Sequence, residues 1–76
     1  MAGALILIST EAGSMTDVYM KIKRLDEVQT AKMMTGPYDV MAMIEAKELA
    51  DITGAVIEKI RGIEGVKETT TNIFLE

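Results

Sequence analysis

From Ala4 to Ile8 every residue is apolar, and the run stops at Ser9-Thr10-Glu11-Ala12-Gly13. A short unbroken apolar segment bounded by polar and turn-forming residues predicts a strand buried on both faces. The spacing then lengthens: Met15, Val18, Tyr19, Ile22 and Leu25 recur at the period of one helical face, which predicts a helix over residues 14–25. Ser14 with Asp17 makes a weak capping box at its start, and Lys21, Lys23 and Arg24 fill the last turns, where cations suit the helix dipole. Between Glu27 and Thr35, Val28, Thr30, Ala31, Met33 and Met34 mixed with Gln29 and Lys32 predict a second strand, closed by the turn signal Gly36-Pro37. A third follows at once. Tyr38, Val40, Ala42, Ile44 and Ala46 alternate with Asp39, Met41, Met43 and Glu45, so the second and third strands form a hairpin. Helical spacing returns with Leu49, Ile52, Thr53, Val56, Ile57 and Ile60, stopped by Gly62, and the Thr-, Ile- and Phe-rich stretch Val66 to Leu75 predicts a fourth strand.

The order is therefore βαββαβ. Offsetting the chain by half of its 76 residues aligns Val18 with Val56, Ile22 with Ile60, Lys23 with Arg61, Leu25 with Ile63, Asp26 with Glu64 and Val28 with Val66. Each half is one βαβ unit, and two interlocked units give an α+β, ferredoxin-like antiparallel sheet with both helices on one face. The other face of the third strand carries Met41 and Met43, and the first strand is apolar on both sides. An uncovered apolar sheet face is unusual in a soluble monomer. The pattern thus predicts that two copies pack sheet on sheet as a dimeric α+β barrel with two-fold symmetry. The alternative leaves Met41 and Met43 as flexible gap-fillers among exposed polar neighbours.

Composition narrows the chemistry. A chain of 76 residues holds one domain, residues 1–76, and a unit this small has a marginal core unless something staples it. There is no cysteine and no histidine, which removes disulfides, thiolate nucleophiles, the usual zinc ligand sets and imidazole-based triads. Oligomerisation remains. With 8 basic against 12 acidic residues the net charge is -4, contrary to what direct binding of nucleic acid requires. The N-terminal apolar run is too short for a signal peptide or a membrane span, so the expected location is cytoplasmic.

Candidate chemistry is sparse. Gly62 and Gly65 follow a helix and precede a strand, the reverse of a phosphate loop, and no carboxylate spacing singles out a catalytic pair. Glu45, Glu48, Asp51, Glu58 and Glu68 read as a solvated exterior. One tract stands out: Thr35-Gly36-Pro37-Tyr38-Asp39. Its glycine permits close backbone approach, N–H groups near Gly36, Tyr38 and Asp39 can donate to an anion, and Asp39 can accept from a cation. Such a loop suits a zwitterion. The plainer reading is that Gly-Pro makes the turn, Tyr38 packs and Asp39 caps local N–H groups. In Thr69-Thr70-Thr71, alternation sets Thr69 and Thr71 with Ile73 and Leu75, and Thr70 with Asn72 and Phe74; threonine here also serves simple strand propensity.

Thr35-Gly36-Pro37-Tyr38-Asp39-Val40, followed by Ile60, Ile63, Gly65-Val66 and then Thr69, Thr71, Ile73 and Leu75, resembles the effector-binding domain of the Lrp/AsnC transcription regulators from Leu5 to Leu75. Members usually begin with a helix-turn-helix domain, and this sequence starts at the first strand of the effector domain, so it looks like the stand-alone, RAM-domain form. The resemblance implies a homodimer assembling into an octamer or decamer, with an amino-acid effector bound between dimers at the loop joining the second and third strands. It carries Gly36, Tyr38 and Asp39 directly, with Thr35 and Pro37 in the same loop, and Thr69 and Thr71 less directly. Proline at position 37 has no N–H, which removes one donor. The expectation is a non-enzymatic module that binds an amino acid and modulates transcription through a full-length relative. It has no catalytic residues, metal or cofactor, and no direct contact with nucleic acid or membrane. The rival is a small dimeric α+β barrel enzyme working on a small molecule without metal or cofactor. A third reading is a pure assembly partner without ligand.

Overall fold

A computed structural model describes residues 1–75. The chain runs β1 (Ala2–Thr10), α1 (Met15–Lys23), β2 (Val28–Met33) and β3 (Val40–Ala46). A helical segment follows, wound as a π-helix over Asp51–Val56 and as the α-helix α2 over Ile57–Arg61, and β4 (Val66–Ile73) closes the sheet. The four strands form one antiparallel sheet in the order β2-β3-β1-β4, the ferredoxin-like arrangement. Parity along the strands decides what each face carries, because directly opposed residues of an antiparallel pair share a face. Ile6 stands opposite Ala42 and Thr71, and Ile8 opposite Val40 and Thr69. With Ala4 and Ile44 the apolar members of this set pack under the helices, against Val18 and Ile22 of α1 and Ile52, Val56 and Ile60 of the second helical segment. All are at most 2% exposed, and burying each large aliphatic side chain contributes about 1.5–3 kcal/mol. Two of the repeat pairs, Val18 with Val56 and Ile22 with Ile60, occupy matching places in this core.

Several boundaries differ from the sequence reading for identifiable reasons. Ser14 sits at the N-cap of α1, yet its side chain makes no capping bond. It is instead overlain by Gly65: a Cβ there would lie 2.8 Å from Ser14 Cβ, and Gly65 has φ +99°. Glycine lets the turn before β4 press onto the start of α1, where Glu11 N–H donates to Gly65 O at 2.8 Å. The second helix is not uniformly α. Thr53 and Gly54 are poor helix formers, Thr53 Oγ1 donates back to Leu49 O at 3.3 Å, and the segment widens, leaving Leu49 48% exposed. Met15 is likewise outside the core. β3 begins at Val40, so Tyr38 falls outside its alternation, and β4 ends at Ile73.

β1 is covered on one face only. Leu5 and Leu7 look the other way, flanked by Met43 and Asn72 and by Met41 and Thr70 respectively. Lys32 and Thr30 of β2 continue this open face beside Met41 and Met43. The four apolar side chains at its centre are half-buried by their own neighbours.

Candidate functional site

The β2–β3 connection carries the tract singled out in the sequence. Met34 N–H donates to Asp39 O at 2.9 Å, closing the loop, and Gly36 at its tip has φ +114°, a conformation that favours glycine. Thr35, Gly36 and Pro37 are exposed, whereas Tyr38 and Asp39 are half-buried. Among the described residues, the N–H groups of Thr35, Gly36 and Tyr38 have no hydrogen-bond partner. The Asp39 N–H does: it donates to Ile8 O at 2.9 Å. That removes one of the anion donors expected at this loop.

The side chains of Tyr38 and Asp39, the loop's two candidate ligand-binding groups, are tied to other strands. Asp39 Oδ2 accepts from Thr10 N at 2.8 Å and from Thr10 Oγ1 at 3.2 Å. The carboxylate therefore clamps the loop to the end of β1, and one of its oxygens is fully engaged. Tyr38 reaches further: its hydroxyl meets Thr70 Oγ1 at 2.9 Å, two strands away across β1. Thr70 stands opposite Leu7, so this bond lies on the open face of the sheet. Thr69 and Thr71 belong to the other face, beside Ile8 and Ile6, and are half-buried there. The structure thus brings Tyr38 and Asp39 together with Thr70 and Thr10, and leaves Thr69 and Thr71 facing the helix layer. Thr70 belongs to the threonine cluster noted in the sequence, on the face opposite Thr69 and Thr71, whereas Thr10 is not conspicuous there. The signal for Thr10 is register alone: Ile8 pairs with Val40, which puts the ends of β1 and of the loop side by side.

The electrostatics are mild. Lys59 Nζ lies 3.0 Å from Glu27 Oε2, tying α2 to the turn before β2. The lysine's hydrogen bond, aided by a backbone donor, holds the Glu27 carboxyl below the usual carboxylate range, against a smaller opposing effect of burial. Among the described residues no cluster of three acidic side chains is placed to hold a metal ion, and no helix is long and apolar enough to cross a membrane.

With this geometry in view, the chain can be set beside known proteins. The family model for the Lrp/AsnC ligand binding domain matches residues 3–76. An uncharacterised HTH-type transcriptional regulator of Pyrococcus furiosus is 30% identical over 71 residues, which make up 93% of this chain and 48% of the relative. The chain accordingly spans about half the length of the curated relatives it matches. Homocitrate synthase of Sulfolobus acidocaldarius is 33% identical over 61 residues, only 13% of that enzyme. Among solved structures, a protein of Thermus thermophilus superposes with a TM-score of 0.93 at 28% identity, covering 100% of this chain and 95% of that one. Escherichia coli AsnC superposes with a TM-score of 0.88 at 28% identity, covering 99% of this chain and 51% of that one.

Proposed function

The chain belongs to the Lrp/AsnC ligand-binding-domain family, and from that premise we propose that it is a cytoplasmic, non-enzymatic sensor that binds an amino acid, assembles through its open sheet face and modulates transcription through partner regulators. The observation that carries this reading is the uncovered centre of the sheet, Leu5, Leu7, Met41 and Met43. Apolar surface of that kind favours association, and a second copy supplies a matching surface by symmetry. Homodimers formed so would build the octamer or decamer, with the β2–β3 loops at the joints between dimers. At such a joint the free N–H groups of Thr35, Gly36 and Tyr38 offer donors to an effector's carboxylate, with Pro37 shaping the loop. Asp39, bonded to Thr10 through Oδ2, keeps Oδ1 for the ammonium group. Thr69 and Thr71 would contribute from an adjoining subunit. The likeness to homocitrate synthase spans only 13% of that enzyme and does not favour a catalytic role over this one.

The test is a thermal-shift screen against the twenty amino acids. A ligand at 100 times its dissociation constant stabilises by about 2.7 kcal/mol, well within detection. A saturable shift with one or a few amino acids, reduced in Asp39→Ala, is the expected result. No shift with any of them would leave assembly as the sole role, and turnover of a small molecule by the purified chain would restore the enzyme reading.

A further inference from the structure

Away from the loop, the outer edge of β4 forms a polar cleft of about 250 Å³ with the end of α2, lined by Arg61, Val66, Lys67, Glu68 and Thr69. Its construction is local. β4 is an edge strand, so its outer backbone groups have no partner strand. A bulge interrupts its pairing with β1: Ser9 opposes Glu68 and Thr10 opposes Val66, which leaves Lys67 without an opposite number. Bulges re-aim side chains and are frequent beside binding sites. Here the bulge gathers Lys67 and Glu68 on the cleft that Arg61 overhangs. Among the described residues the one ion pair is Lys59 with Glu27, so the guanidinium of Arg61, the ammonium of Lys67 and the carboxylate of Glu68 all lack a charged partner within 4 Å. Two cations against one anion make this lining net positive on a chain whose net charge is -4.

We infer that this cleft is a binding site for a small dicarboxylate, distinct from the β2–β3 loop. Arg61 offers a planar fork suited to one carboxylate, and Lys67 a point charge suited to a second. The Thr69 hydroxyl, which makes no hydrogen bond to another described residue, completes the polar lining. Glu68 accepts from an ammonium group where the ligand carries one, and thereby separates an acidic amino acid from an oxo acid. A cleft of this volume has room for a five-carbon diacid. No residue of the β2–β3 loop lines the cleft, and Thr70 with its bond to Tyr38 lies on the opposite face of the sheet from Thr69; Thr69 is the one lining residue that the proposed effector site also draws on.

The experiment is an amide-resolved NMR titration of the 15N-labelled full chain with L-glutamate, 2-oxoglutarate and inorganic phosphate at fixed ionic strength. The expected result is a saturable shift of the Arg61 and Val66–Thr69 amides with at least one diacid. It should weaken about tenfold in Arg61→Gln and in Lys67→Gln, both at exposed positions, and stay unchanged in Tyr38→Phe. Preference for L-glutamate assigns the Glu68 carboxylate to the ammonium; preference for 2-oxoglutarate makes the site one for oxo acids. Absence of saturation with either diacid at tens of millimolar would overturn the inference. So would equal binding by the two glutamine variants and the parent, or a response to phosphate alone. Loss of binding in Tyr38→Phe but not in Arg61→Gln would place the diacid at the loop, which bears on the proposed effector site and rejects this one.

Discussion

Removing the Asp39 carboxylate should cost folding stability before it costs anything else. Asp39 Oδ2 accepts two hydrogen bonds from Thr10, the shorter at 2.8 Å from a backbone N–H. Hydrogen bonds to a charged group contribute about 1.5–3 kcal/mol, and the half-buried Thr10 N–H loses its partner in Asp39→Ala. For a domain of this size each kcal/mol moves the midpoint by roughly 4–8 °C, so Asp39→Ala should melt roughly 6–24 °C below the parent. Asp39→Asn keeps an oxygen acceptor and should lose clearly less, while Thr10→Val, which deletes only the longer bond, should lose least. Circular dichroism melts at one fixed protein concentration read all three, since association makes the midpoint depend on concentration. A midpoint for Asp39→Ala indistinguishable from the parent would refute the clamp and free the carboxylate for a purely ligand-binding role.

Gly65→Ala should destabilise by about 2 kcal/mol or more, because the new Cβ meets Ser14 Cβ at 2.8 Å and φ +99° is strained for any L side chain; urea denaturation reads it. Tyr38→Phe removes an exposed hydrogen bond to Thr70 and should cost no more than about 0.5 kcal/mol, while hydrogen exchange at Thr35–Tyr38 quickens; Thr70→Val should reproduce both effects without adding to them. Glu27 is more acidic in the folded chain than its ordinary value of 4.5. Its contribution is therefore present above that value and lost as pH falls through the lower folded one. For a solvent-screened pair it amounts to about 0.5 kcal/mol, and Lys59→Met should flatten this part of the stability profile as pH is lowered from neutrality through the carboxylate range.

How much of this was legible in the sequence follows from range. Val18, Ile22, Val56 and Ile60 announce the core because helical period is a local property, and the half-chain repeat sets them in register. The strand order follows from the βαββαβ pattern. Tyr38 misled, because continuing the period of Val40, Ala42 and Ile44 assigns it to the helix side, whereas the strand stops at Val40 and its hydroxyl crosses β1 to Thr70. The Thr10 clamp and the bulge at Lys67 depend on how β1 pairs with two strands far apart in sequence, and no local spacing encodes that. Widening of the second helix comes from Thr53 and Gly54 inside an otherwise regular apolar stripe, which periodicity alone passes over.

The claim on which the functional reading rests most heavily is that the open sheet face is an interface between copies. Light scattering coupled to size exclusion measures it directly, on the parent and on Met41→Lys and Met43→Lys. Each variant would bury an unpaired ammonium in that interface, at a cost of several kcal/mol that a domain this small does not have in reserve. The expected parent mass is at least twice the 8.3 kDa of one chain, with both variants aggregated or unfolded. A parent and two variants that all elute as folded 8.3 kDa monomers would contradict it.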